Sequence, residues 1–136
     1  MATLRLEIVT PDAKTFSDDV DMVVIPGTEG ELGILPMHIP LMTALKPGEL
    51  KVTHKGRDIY LAVGEGFVEV TQDSVSILTD MAIEEKAIDL AAAEEAVRRA
   101  EEAMRQEHLG DEEVAFASAM LQKSLAQLHV KRRRHV

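Results

Sequence analysis

The 136-residue chain has no cysteine, no tryptophan, three phenylalanines and one tyrosine. Without cysteine there is no disulfide, thiolate metal site or cysteine nucleophile. Four aromatic residues offer little surface for stacking bases or sugars. Cations are also in short supply, 15 Lys+Arg against 24 Asp+Glu, and a net charge of −9 argues against nucleic acid, whose phosphates require clustered positive charge. No run approaches the ~20 apolar residues that would cross a bilayer. The start, Met1 to Leu6, reads as structured chain without a basic-then-apolar leader, so the protein is expected to act on the cytoplasmic side of its membrane. What is present, 46% hydrophobic and 29% charged residues, is the balance of a folded protein.

Glycine and proline are unevenly placed. All five prolines and every glycine except Gly110 precede residue 84, after which alanine dominates. Charge follows the same division: residues 1–83 carry −7, residues 84–130 carry −6, and the last six residues contribute +4. Residues 1–84 are therefore expected to form one domain and 85–136 a second.

The first part alternates in the manner of strands. Leu4, Leu6 and Ile8 alternate with Arg5, Glu7 and Val9; Val20–Ile25, Leu50–His54, Ile59–Val63, Phe67–Val70 and Val75–Leu78 follow, separated by turn residues such as Pro47-Gly48 and Lys55-Gly56. Many short strands with no helical pattern between them imply an antiparallel sandwich or barrel. The second part reads as two helices. Asp89 is placed to cap the first, whose stripe is Ala93, Ala96, Val97, Ala100, Ala103 and Met104. Leu109-Gly110 is expected to end it, with Gly110 left-handed, and Asp111 to cap the second, whose inner face is Val114, Ala117, Leu121, Ser124 and Leu128. So short a link makes the pair an antiparallel hairpin, and its Ala/Ser stripes bury little area.

Motifs for chemistry fail one by one. Gly27, Gly30 and Gly33 match neither phosphate-binding glycine spacing, no lysine follows, and Glu29 and Glu31 repel phosphate. His38, His54, His108, His129 and His135 never pair at ligand spacing, so no metal is expected, and no catalytic constellation is visible. What stands out is an apolar loop, Gly33 to Leu41, broken by Pro36 and Pro40. It either turns into the core or presents Leu35, Met37 and Ile39 to a partner.

The run Gly30-Glu31-Leu32-Gly33-Ile34-Leu35-Pro36-Met37-His38-Ile39-Pro40-Leu41-Met42-Thr43-Ala44-Leu45-Lys46-Pro47-Gly48 resembles the epsilon subunit of F-type ATP synthases. So do Val9-Thr10-Pro11-Asp12 with Phe16, and Gly64-Glu65-Gly66-Phe67-Val68-Glu69-Val70, where Glu65 stands in place of a glycine. The resemblance implies a ten-stranded β-sandwich followed by two helices. It implies a non-catalytic rotor subunit of the central stalk that binds the gamma subunit and the ring of c subunits and couples ring rotation to ATP synthesis. Its place would be the cytoplasmic face of the bacterial plasma membrane, or alternatively the stromal side of a plastid thylakoid. Carried over residue by residue, Glu31, Leu32, Gly33 and His38 face the ring, and Ile34, Leu35, Met37 and Ile39 face gamma or the core. The hairpin would extend to meet the catalytic beta and alpha subunits and inhibit hydrolysis, bringing Lys131, Arg132, Arg133 and Arg134 to beta. A nucleotide motif of some relatives survives only as Ile88, Asp89 and Ala93, with Arg99 nearby; Ala92 replaces its arginine, so ATP binding is disfavoured and no cofactor is expected. The competing reading is a free-standing β-sandwich binding module with a helical appendage.

Overall fold

The computed structural model describes residues 2–106 and 110–134. Met1, Glu107, His108, Leu109, His135 and Val136 lie outside the described residues, as do the side chains of Arg133 and Arg134.

Ten strands precede the helices: β1 (Leu4–Val9), β2 (Lys14–Val20), β3 (Met22–Gly27), β4 (Gly30–Ile34), β5 (Leu41–Leu45), β6 (Gly48–His54), β7 (Arg57–Val63), β8 (Gly66–Val70), β9 (Ser74–Thr79) and β10 (Ala82–Glu84). They hydrogen-bond in the order β10-β7-β6-β3-β5-β8-β9-β1-β2, with β4 paired to β3. The sheet folds over where β3 meets β5 through a single pair, Gly27 opposite Leu45, giving two layers. The path nearly closes on itself, because Asp21 donates its amide to Thr53 O (2.8 Å) and His54 Nε2 lies 3.3 Å from Asp18 Oδ2. All pairings are antiparallel except one, β1 beside β9.

The alternating residues fill the space between the layers. Leu4, Leu6, Ile8, Val23, Ile25, Ile34, Leu50, Val52, Leu61, Val68, Val75 and Ile77 are buried in one cluster. Period-2 patterning puts one face of each strand inside and leaves the other to solvent. At the β3–β4 turn Gly30 adopts φ 123, a conformation side chains rarely take, so this glycine serves geometry rather than phosphate.

A short 3₁₀ turn, η1 (Glu85–Ala87), leads to α1 (Leu90–Met104) and α2 (Asp111–Arg134). Asp89 caps α1 as its position suggests, accepting the Ala92 amide at 3.1 Å. Two expectations at the helix junction need correction. α1 stops at Met104, with Arg105 as its C-cap, well short of Leu109-Gly110. Gly110 supplies the first carbonyl of α2, accepting from Val114 N at 3.0 Å, so Asp111 lies inside the helix rather than capping it.

The hairpin is antiparallel and closely packed through Ala93, Ala100, Ala117 and Ser124, all buried. Val114, expected on the inner face, is exposed. A second α2 face, absent from the sequence reading, docks on the sandwich: Ala126 and Val130 join Ile88 and Ala62 in a separate buried cluster bordered by Tyr60, Met81 and Ile83.

Candidate functional site

Pro36 and Met37 build the loop between β4 and β5. His38 N donates to Leu35 O (3.2 Å), and Met37 takes φ 70. Proline second and positive φ third is the type II turn, which normally places glycine where Met37 stands. Met37 N also donates to Gln72 O (2.8 Å), tying the loop to the β8–β9 turn. The loop is thus held in place although its side chains are not covered.

Exposed apolar side chains stand both on the loop and on the adjoining sheet. Leu35, Met37 and Ile39 are 56%, 70% and 79% exposed, and Met42, Phe67 and Leu78 on the adjoining sheet are 71%, 62% and 58% exposed. Ala44, Phe67, Leu78 and Val9 stand opposite one another across β5, β8, β9 and β1, in one row on the outer face. Met42 is the diagonal neighbour of Phe67, within reach of a side-chain contact. Two clefts of about 470 and 430 Å³ flank the row beside Gly66. Large apolar groups left uncovered and contiguous mark a surface that meets another molecule.

The structure separates the four ring-facing candidates. Glu31, Leu32 and Gly33 lie on β4, Glu31 and Gly33 exposed and Leu32 half-buried against the core. His38 lies beyond the far end of that strand, where its Nδ1 donates to the Ile39 carbonyl (2.7 Å), leaving Nε2 for an outside group. Of the loop candidates, Ile34 is fully buried and belongs to the core; Leu35, Met37 and Ile39 are surface. Met42, Phe67 and Leu78 were missed. Their signal was present in the alternation, since Phe67 shares an outward face with Glu69, and Leu78 with Ser76.

The remaining candidates lie on the hairpin. Ile88 is buried beneath α2, Asp89 caps α1 and Ala93 packs between the helices, so each has a structural task. A groove of about 530 Å³ between the helices is lined by Ala92, Ala96, Arg99, Phe116 and Met120. Arg99 is its one lining cation, and its Nε is bound to Glu95 at 3.1 Å. The Arg98 hydrogen bond, aided by Arg99, holds the Glu95 carboxyl below its ordinary range. Glu95 also lines the groove, so its single cation already faces a carboxylate there. At the basic end, Lys131 Nζ lies 3.6 Å from Glu85 Oε1, and Arg132 Nη2 donates to Glu94 (3.3 Å). About two turns earlier, Lys123 Nζ lies 3.1 Å from Asp80.

Two family descriptions match the chain, "ATP synthase, Delta/Epsilon chain, beta-sandwich domain" over residues 3–85 and "ATP synthase, Delta/Epsilon chain, long alpha-helix domain" over residues 86–132. Among its relatives, the ATP synthase epsilon chain of Dehalococcoides mccartyi is 45% identical across 99% of this chain and 98% of its own length. That of Laribacter hongkongensis is 36% identical across 99% and 100%. In solved structures, a chain of the Euglena gracilis mitochondrial ATP synthase superposes with a TM-score of 0.79 at 23% identity, over 95% of this chain and 81% of that one. A chain of the Tetrahymena thermophila mitochondrial ATP synthase central stalk and c-ring gives 0.65 at 15%, over 98% and 96%. At such identities these two matches speak for the fold.

Proposed function

The chain belongs to the ATP synthase delta/epsilon chain family, and from that membership we propose that it is the non-catalytic rotor subunit of the central stalk. In this reading the sandwich seats on the gamma subunit and meets the ring of c subunits, turning with both and passing ring rotation to ATP synthesis. The observation that carries it is the uncovered apolar surface formed by Leu35, Met37, Ile39, Met42, Phe67 and Leu78 on a rigid two-layer body. A rotor must transmit torque without deforming, and a nearly closed sheet resists shear. Exposed Glu31, with Glu29 beside it, offers charge to the ring loops, setting register more than affinity.

Among the described residues no helix is long and apolar enough to cross a membrane, so attachment would run through these partners, at the cytoplasmic face of a bacterial plasma membrane or the stromal face of a thylakoid. The hairpin supplies regulation: released from the sandwich, α2 would reach the catalytic beta and alpha subunits with its basic end and restrain hydrolysis.

Co-expression with the gamma subunit tests the seating surface. Phe67→Asp and Met37→Asp should keep the melting temperature of the isolated chain, because both side chains already face solvent, and should lose co-purification with gamma. Variants that still co-purify would overturn the seating, and variants that melt early would show these side chains to be part of the core.

A further inference from the structure

The β6–β7 hairpin carries a half-open sheet edge. β7 pairs with β6 over its full length, from Arg57 opposite His54 to Val63 opposite Gly48. On its other side β10 covers only Leu61–Val63, because the chain turns into η1 at Glu85. The outer edge of residues 57–59 therefore meets no strand. Bare backbone donors and acceptors of this kind are a template for another chain. A groove of about 630 Å³ runs beside the edge, between Ile59 and Tyr60 on one side and Glu84, Glu85 and Lys86 on the other. That volume lies within the usual range of ligand sites.

The groove is lined by three cations, Lys55, Arg57 and Lys86, and three carboxylates, Asp58, Glu84 and Glu85, and the two sets differ in how far they are already paired. Lys55, Arg57 and Lys86 make no ion pair among the described residues, whereas the neighbouring acids are mostly engaged. Asp58 accepts from Thr53 Oγ1 (2.9 Å) and lies 3.8 Å from Lys51, and Glu85 lies 3.6 Å from Lys131. Glu84 is the remaining carboxylate on the lining. In a chain of net charge −9, three uncommitted cations around one groove mark a place for an anion.

The edge is also held in shape. Lys55 and Gly56 adopt φ 53 and 79, the two-residue turn with both central residues left-handed, which matches the twist of its strands. Little ordering is then required of the hairpin on binding.

We propose that this groove accepts an extended acidic segment of a partner protein, which adds to β7 as a short strand in line with β10. Its backbone runs along residues 57–59 and pairs with Asp58, whose N–H and C=O point away from β6. Its carboxylates meet Lys55, Arg57 and Lys86, and its alternate apolar side chains rest on Tyr60. Strand addition of this type draws affinity from main-chain bonds and selectivity from alternate side chains. A small anion would use the cations but neither the edge nor the apolar floor. The site stands apart from the apolar row on β5, β8, β9 and β1, and does not depend on the rotor reading.

The test is titration of the ¹⁵N-labelled full chain with the blocked peptide Glu-Val-Glu-Val-Glu. Saturable amide shifts confined to residues 55–60 and 84–86 are expected. Arg57→Glu, at an exposed position, should weaken binding at least tenfold, as should Lys86→Glu. The same peptide N-methylated at alternate amides keeps its charges and loses its backbone donors, and should also bind at least tenfold more weakly. Absence of saturable binding, equal binding of the N-methylated peptide, or the same shifts with inorganic diphosphate would each overturn the proposal, the last by revealing a small-anion site.

Discussion

A Cβ built on Gly66 would sit 1.9 Å from the carbonyl oxygen of Leu78, backbone against backbone. One on Gly64 would sit 2.0 Å from Asp80 Oδ1, the movable end of a side chain. The two glycines therefore differ in consequence. Gly66→Ala must separate β8 from β9 and is expected to cost about 3 kcal/mol by chemical denaturation, the upper end for overpacking. Gly64→Ala needs only a rotation of Asp80, which removes its ion pair with Lys123, and should cost no more than ~1 kcal/mol. Met37 poses the reverse case, a left-handed residue without glycine's freedom. Met37→Gly should relieve strain of about 1 kcal/mol, offset by a more flexible unfolded chain, so stability should stay within about 1 kcal/mol. Its affinity for gamma should nonetheless fall, because the exposed thioether is gone. A melting curve and a gamma pull-down on the same sample separate the two effects.

Three cations fasten α2 in the folded hairpin: Lys123 to Asp80, Lys131 to Glu85 and Arg132 to Glu94. Each pair is partly exposed and modest by itself, and all three weaken with salt. Lys131 and Arg132 are also charges that the extended state would offer to beta, so one set of groups is claimed by two conformations. Replacing Lys123, Lys131 and Arg132 by alanine should speed hydrogen exchange across α2 while leaving β1–β9 protected. Unchanged exchange would show that Ala126 and Val130 alone hold the helix. Removing residues 110–136 should raise ATP hydrolysis by the assembled enzyme and leave synthesis largely intact; unchanged hydrolysis, assayed without proton-motive force, would end the regulatory reading. For nucleotide, the groove beside Ala92 predicts no shift in melting temperature at millimolar ATP. A stabilisation of 2–3 kcal/mol, which requires ligand near ~100 times its dissociation constant, would mean that Arg98 or Arg99 has taken over phosphate binding.

At the scale of the molecule, the strands legible in the sequence are the short apolar-rich runs bounded by turn residues, β1, β3 and β6–β9. β2 was not legible because Lys14–Val20 places only Phe16 and Val20 inward among polar residues. β4 and β5 were masked by the prolines between them, which made the whole stretch read as loop although Ile34 and Leu45 are core. The second face of α2 escaped for a different reason: Ala126 and Val130 lie off the α1-facing stripe, and nothing local announces that a sheet will cover them. The recognised motif located the loop, but only the fold shows that Met42, Phe67 and Leu78 are exposed as well. The parallel pairing of β1 with β9, Arg5 opposite Ser74 through Val9 opposite Leu78, has its consequence in time. During synthesis the first strand emerges long before its neighbour exists, and pairing with β2 satisfies only one of its edges. Contacts so distant in sequence close late and slowly. Nascent chains stalled before β9 leaves the ribosome should be cut readily by protease, and chains stalled after it should resist. Until then the oldest segment of the polypeptide is also its most exposed to other nascent chains, a vulnerability that ends in a single step when the ninth strand arrives.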